Sequence, residues 1–196
     1  MNERSFMLYH ASPVEGIAVL TPHVSNHEKP LVYLSSKREN VLVYLSNAVE
    51  KHCRETGFAW NGPWHKWASY GFTKEGILLL EEYYPNATEG TYKGVSGYIY
   101  QVENGASTAA MDGIRNAYIS TEPVPVSDCE FVPDAYEALL KAEVEGLIAI
   151  KRYEALSEGS RRWLEKIIPE EYAKAEQHPE YRHFLQSKFS FPKPGR

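Results

Sequence analysis

The first third of the chain alternates between short apolar runs and polar loops. Residues 5–10 alternate loosely between apolar and polar side chains, which predicts a short strand. Pro13 ends this strand, and residues 14–20 fit either a helical turn or a second short strand. Residues 22–30 contain two prolines and mostly polar side chains, so they predict a loop. Residues 31–34 are apolar and β-prone, which predicts a buried strand.

A single amphipathic helix is predicted directly after this strand. Ser36 precedes Glu39 by three residues, which is the spacing of a capping box, where hydroxyl and carboxylate each bond a backbone amide of the first turn. Apolar residues then recur at helical spacing as far as Val49 and place one face toward a core. Gly57 predicts the end of this helix, because glycine readily takes the left-handed backbone of a helix C-terminus.

The middle of the chain is rich in aromatic and β-branched residues. Trp60, Trp64 and Trp67 predict a core cluster or the lid of a pocket. Turn residues separate the segments beyond them, and no helix is predicted between these segments, so antiparallel or mixed pairing is expected. The predicted strands are residues 68–72, 77–83, 96–102 and 118–120.

The pattern changes to helical periodicity in the last third. Residues 134–145 predict a helix, residues 146–150 one more strand, and the chain from residue 156 onward amphipathic helices. Strands concentrated early and helices concentrated late are typical of an α+β fold. We therefore expect an α+β domain over residues 1–152, with a helical C-terminal extension over residues 153–196 packed on the same domain.

Composition narrows the class of protein. The 196 residues are 43% hydrophobic and 24% charged, which is typical of a globular domain. The formal net charge of −5 argues against nucleic acid as a partner. Cys53 and Cys129 lack zinc-binding spacing, so free thiols, a reducing compartment and no metal are expected. No apolar run has the length of a signal peptide or a membrane span, which predicts a cytoplasmic protein without a membrane partner.

One histidine and two tyrosines mark the ends and edges of three consecutive predicted elements. His10 ends the first strand, Tyr33 lies on the strand of residues 31–34, and Tyr44 follows Tyr33 by eleven residues on the predicted helix. This arrangement resembles the ADP-ribosyltransferase fold of the diphtheria-toxin and poly-ADP-ribose-polymerase type. Leu34-Ser35 is also similar to the opening of the rifampin ADP-ribosyltransferases and RNA 2′-phosphotransferases. The resemblance implies a split, mostly antiparallel sheet.

The resemblance also implies a role for each residue. NAD would be the substrate, with His10 on a ribose hydroxyl, Tyr44 stacked on nicotinamide and Tyr33 on the opposite wall. The backbone of Ala11, where the family has glycine, would hold the carboxamide. Breaking the nicotinamide–ribose bond develops positive charge that a carboxylate can stabilise. These implications predict an NAD-binding ADP-ribosyltransferase or NAD glycohydrolase, with Glu122 as the candidate carboxylate and an acceptor that the sequence does not name.

Several alternatives stay open at this stage. The family's glutamate aligns with Ala117, and Val41 stands where polymerase-type members have serine; Glu81 and Glu82 end another strand and are further candidates for the acid. A chain without that glutamate would be a non-catalytic nucleotide-binding or protein-interaction domain. An RNA 2′-phosphotransferase, which does not use the glutamate, is a further alternative. A histidine at a strand end is also a common structural hydrogen-bonding residue.

Overall fold

The computed structural model describes residues 6–24, 29–62 and 67–191. Contacts within the chain divide it into two compact units. Unit 1 takes its described residues from Met1–Leu45, Lys74–Ile77 and Gly94–Ile148. Unit 2 takes them from Ser46–Thr73, Leu78–Lys93 and Ala149–Arg196. This division differs from the predicted boundary at residue 152, because two internal segments group with the C-terminal helices.

The elements follow one another with short connections. The strands are β1 Met7–Ser12, β2 Val19–Leu20, β3 His23–Val24, β4 Pro30–Ser35, β5 Ala68–Phe72, β6 Leu78–Glu82, β7 Gly97–Glu103, β8 Thr108–Ala110, β9 Ala117–Ser120, β10 Val124–Pro125, β11 Asp128–Val132 and β12 Ile148–Lys151. The α-helices are α1 Arg38–Val41, α2 Ala48–Thr56, α3 Ala87–Tyr92, α4 Ala135–Val144, α5 Glu158–Lys174 and α6 Pro179–Lys188. Short 3₁₀ turns cover Leu42–Tyr44, Tyr153–Ala155 and Ala175–Gln177.

Unit 1 is built on one large sheet with the order β11-β7-β1-β4-β9-β8, and β3 pairs with β4. These pairings are antiparallel. The short pair of β2 and β10 is antiparallel as well. Apolar side chains from the sheet and from this pair form one buried cluster, which consists of Leu8, Leu20, Val32, Leu34, Val102 and Val124. The predicted α+β class and the mostly antiparallel sheet are confirmed.

Unit 2 contains a three-stranded sheet with the order β12-β6-β5 and most of the helices. Its core is aromatic at the centre: Phe184 is fully buried, and its ring lies 5.8 Å from that of Tyr84 and 6.4 Å from those of Trp67 and Phe189. Trp67 is 6% exposed, which places it in the core. Trp64 and residues 192–196 lie outside the described residues.

The predicted single helix after Ser36 is wrong. Lys37 is the N-cap residue of α1 and makes no side-chain capping bond. The Ser36 hydroxyl donates to Oδ1 of Asn116 (3.3 Å) instead of capping a helix. α1 and the 3₁₀ turn after it end before Asn47, whose side chain caps α2 by accepting from two backbone amides. The predicted stop at Gly57 is confirmed, since this residue takes a left-handed backbone with φ 68°.

The absence of a helix between the middle strands was also predicted wrongly. α3 is short and contains Gly90 and β-branched residues, so its sequence carries a weak helical signal. Tertiary contacts stabilise it. The buried carboxylate of Glu82 accepts a hydrogen bond from the backbone amide of Thr88 (2.9 Å), one of the amides that a helix leaves unpaired in its first turn.

The remaining predicted elements fall close to the observed ones. Seven predicted strands correspond to observed ones: residues 5–10 to β1, 31–34 to β4, 68–72 to β5, 77–83 to β6, 96–102 to β7, 118–120 to β9 and 146–150 to β12. The helix predicted over residues 134–145 is α4, with Asp134 as its N-cap residue. The C-terminal helices are α5 and α6. No helix among the described residues is long and apolar enough to cross a membrane.

Candidate functional site

The candidate site lies where β1 and β4 diverge. The register between these strands contains one residue pair, Tyr9 opposite Ser35. Beyond that pair, the side chain of His10 bridges the two strands: its Nδ1 lies 2.9 Å from the backbone oxygen of Tyr33. A side-chain hydrogen bond thus takes the place of the regular ladder at this point. The strands are held together here by the imidazole rather than by backbone pairing.

The hydrogen bond defines the protonation state of the imidazole. A carbonyl oxygen only accepts, so Nδ1 of His10 must carry the hydrogen. Burial lowers the pKa of His10, while the bond to the Tyr33 carbonyl raises it in part and nearby His23 lowers it. His10 is therefore neutral near pH 7, and its Nε2 has a free lone pair that can accept a hydrogen bond.

The sheet register assigns faces to the site residues. Side chains alternate along a strand, so the pairing of Tyr9 with Ser35 places Ala11 and Tyr33 on one face and His10 on the other. The 3₁₀ turn Leu42–Tyr44 belongs to the first of these faces. Leu45, which follows it, packs on Gly97, where an added Cβ would lie 2.6 Å from the Leu45 Cδ2. The structure therefore brings Ala11, Tyr33 and the turn carrying Tyr44 together, with His10 at the seam between the strands.

Tyr44 is the most accessible of the predicted pocket residues. Its side chain is 53% exposed, whereas Ala11 is buried. Burial of part of the phenol, together with the nearby Tyr33, raises the pKa of Tyr44, so the Tyr44 ring is neutral near pH 7. Tyr33 and Tyr44 therefore lie within electrostatic range of each other. A half-exposed ring on a turn can stack against a planar ligand.

Ala11 fits its place without strain. Among the described residues, the non-glycine residues with a left-handed backbone are Asn86 and Asn116. Ala11 therefore has a backbone conformation that any residue adopts, and the family's glycine is not required for backbone geometry.

The predicted carboxylates are placed differently from one another. Ala117, which aligns with the family's glutamate, lies opposite Ser35 on β9. Glu122 is exposed in the turn after β9, where its backbone amide donates to the Ser120 hydroxyl (3.1 Å) and its carbonyl accepts from it (2.8 Å). Ile119 is the register partner of Tyr33 and precedes Glu122 by three residues, about 10 Å of extended chain.

Glu81 and Glu82 have structural partners in unit 2. Glu81 forms an ion pair with Lys151 at 2.8 Å. Glu82 is 3% exposed and accepts from the backbone amides of Thr88 (2.9 Å) and Tyr153 (3.3 Å). Both carboxylates are engaged within unit 2, so Glu122 is the candidate acid that belongs to the same unit as His10.

His23 is the residue near the site that sequence reasoning missed. The sequence placed it in a polar loop, but β3 pairs with β4 and sets His23 opposite Leu31. Electrostatic repulsion from His23 lowers the pKa of His10, so the two side chains lie within electrostatic range of each other. No pattern in the sequence marks a two-residue strand, so only the fold reveals this neighbour.

Comparison of the chain with protein-family models, curated proteins and solved structures gives no match. The function must therefore be argued from the site itself.

Proposed function

We propose that unit 1 binds NAD at the divergence of β1 and β4 and acts on its nicotinamide–ribose bond as an ADP-ribosyltransferase or NAD glycohydrolase. The observation that carries this proposal is the 2.9 Å contact from His10 Nδ1 to the Tyr33 carbonyl, with Tyr44 beside Tyr33. The contact joins the His10 ring to the backbone of Tyr33, and Tyr44 lies within electrostatic range of the Tyr33 side chain on the other face of the sheet.

The chemistry of the site suits this ligand. Nε2 of neutral His10 is an acceptor and can receive a hydrogen bond from a ribose hydroxyl. The half-exposed ring of Tyr44 offers a flat surface for nicotinamide, and Tyr33 supplies a second wall on the same face. These groups would bind and orient the ligand. Holding the ribose in place favours cleavage, because a fixed geometry lowers the entropic part of the barrier.

Glu122 is the proposed carboxylate of the reaction. It lies in the exposed turn that follows β9. β9 pairs with β4, the strand that carries Tyr33. A carboxylate near the ribose would stabilise the positive charge that develops as nicotinamide leaves. Rotation of an exposed side chain is inexpensive, so the turn can present Glu122 to a bound ligand.

A second candidate function is a non-catalytic NAD-binding domain. Ala117 occupies the strand position that aligns with the family's glutamate, and Glu122 is solvent-exposed. These two observations favour binding without cleavage. The two functions share the binding residues and differ in whether nicotinamide is released.

Nicotinamide release from NAD separates the two functions. The wild-type chain, Glu122→Gln and the matched control Glu103→Gln, also an exposed glutamate of unit 1, are incubated with NAD, and free nicotinamide is measured by chromatography. We expect release by the wild type and the control, and a loss on the order of 100-fold in Glu122→Gln with NAD affinity retained.

Each other outcome has a definite meaning. NAD binding without release by the wild type would establish the non-catalytic function. Release that is unchanged in Glu122→Gln would exclude this residue as the acid. Absence of NAD binding by the folded wild-type chain would overturn the proposal as a whole.

A further inference from the structure

Unit 2 contains a cavity of about 540 Å³ that the NAD proposal does not use. Its volume is within the usual range for small-molecule sites. Tyrosine and phenylalanine rings form much of its wall, including Tyr83, Tyr153 and Phe189. Two cationic residues, Arg161 and Lys188, also line it, together with the exposed carboxylate of Glu165. The cavity thus combines flat apolar surfaces with an excess of positive charge.

Arg161 is positioned with donors to spare. Its Nη2 donates to the backbone oxygens of Tyr153 (3.0 Å) and Glu154 (3.2 Å), and its guanidinium carbon lies 4.7 Å from the centre of the Tyr153 ring. These contacts fix the guanidinium plane. Within residues 6–24, 29–62 and 67–191, no carboxylate forms an ion pair with it, and its Nε and Nη1 make no hydrogen bond. A fixed guanidinium with free N–H groups is a ready site for an anion.

Lys188 adds a second cation without a carboxylate partner in the described part of the chain. Its Nζ lies 5.7 Å from the centre of the Tyr84 ring. Some basic residues elsewhere are paired with carboxylates, such as Lys151 with Glu81, and Arg38 of unit 1 with Glu130 through two nitrogens. In a chain with a net charge of −5, two unpaired cations at one cavity form a local site of positive potential.

The aromatic wall defines the other half of the ligand. Trp163 meets the ring of Tyr83 edge-on at 5.5 Å and is 47% exposed, so flat apolar surface continues from the cavity to solvent. Aromatic side chains bind planar rings by stacking, and a nearby arginine adds to this attraction. The ligand that satisfies both halves carries a flat ring and an anionic group.

We propose that this cavity binds a small organic anion of the mononucleotide class. The phosphate would contact Arg161 and Lys188, and the base would lie against the tyrosine and phenylalanine rings. The proposal shares no residue with the His10 site, so each of the two sites can fail without the other.

Calorimetric titration of the full chain with AMP tests the proposal, with adenosine and inorganic phosphate as the two halves of the ligand. We expect a dissociation constant on the order of 0.1 mM for AMP and binding at least about tenfold weaker for each half alone. Arg161→Gln and Lys188→Met are each expected to weaken AMP binding about tenfold or more. Arg162→Gln is the matched control, since Arg162 is exposed on the same helix and pairs with Glu158.

The variants also separate this site from the NAD site. His10→Ala is expected to retain AMP binding in unit 2, and loss of AMP binding in that variant would place the ligand in unit 1 and overturn the proposal. Lys188→Met decides the outcome if Arg161→Gln unfolds, because no hydrogen bond joins Nζ of Lys188 to the described residues. AMP binding that survives Lys188→Met, or no AMP binding by the wild type up to about 10 mM, would also overturn it.

Discussion

The two units assemble their candidate sites in different ways. In unit 1, the candidate residues His10, Ala11, Tyr33 and Tyr44 come from one stretch of 35 consecutive positions. The Tyr9–Ser35 pair and the hydrogen bond from His10 to the Tyr33 carbonyl join the two strands that carry three of them. In unit 2, the core combines side chains from three separate segments and the cavity from two. When a site is made from neighbouring elements, its residues are separated by short intervals that can be recognised in the sequence. When it is made from distant segments, no such interval exists. The first kind can be found by reading a chain and the second requires a fold.

The largest expected effect is at the aromatic centre of unit 2. Phe184→Ala should destabilise the protein by about 3–5 kcal/mol, because it opens a cavity among packed rings. Phe184 is 0% exposed, while the control Phe131 of unit 1 is 54% exposed. Phe131→Ala should therefore cost less than about 1 kcal/mol. Urea unfolding measures both, and equal losses would show that the core of unit 2 does not depend on this ring.

The two buried histidines should respond differently to acid. Burial lowers the pKa of His52 to about 4, and its Nε2 has no hydrogen-bond partner among the described residues. A lowered folded-state pKa means that the unfolded chain binds the proton more readily, so stability present above pH 6.5 is lost as the pH falls from about 6.5 toward 4. The pKa of His10 is also lowered, but its bond to Tyr33 opposes the shift.

Unfolding measured at pH 7 and pH 4 tests this difference. Relative to His52→Leu, the wild type should lose about 2 kcal/mol more stability over this interval, after allowance for solvent screening. His10→Leu should remove a smaller part of the acid dependence. An acid dependence that His52→Leu leaves unchanged would contradict the unpaired state of the His52 ring.

Helix capping provides a smaller contrast between the units. In unit 2, Oδ1 of Asn47 accepts from the amides of Val49 (2.9 Å) and Glu50 (3.0 Å), so Asn47→Ala should cost about 1–2 kcal/mol. In unit 1, Ser36 caps no helix, and Ser36→Ala should cost less than about 0.5 kcal/mol. Thermal unfolding of the two variants measures both, and a larger loss for Ser36→Ala would restore the predicted capping box.

The sequence predicted the strands of both units better than the breaks between helices. Period-two and continuous apolar patterns predicted β1, β4, β6 and β7. A strand buries every second side chain, or nearly all of them when both faces are covered, so its pattern lies within a few consecutive residues. The break before Asn47 was missed, since apolar residues continue at helical spacing across it. Two side-chain hydrogen bonds accompany the break. The Ser36 hydroxyl bonds Asn116, which lies eighty residues away in the chain, and the Asn47 side chain caps α2.

The same limit applies to the sites. The eleven-residue interval between Tyr33 and Tyr44 is visible in the sequence, and the structure places the two residues near each other. No comparable interval in the sequence indicates the roles of His23 or of the cavity cations Arg161 and Lys188. Their roles depend on strand pairing and on rings contributed by segments far apart in the chain, which no local pattern encodes.

The most direct test of the account is NAD titration of the wild type, His10→Ala, Tyr44→Ala and the control Tyr136→Ala by calorimetry. Tyr44 is half-exposed, so its substitution should leave the fold intact. The account predicts that the wild type and the control bind NAD alike, and that His10→Ala and Tyr44→Ala each bind at least about tenfold more weakly. Equal NAD affinity in all four proteins would contradict the proposed site.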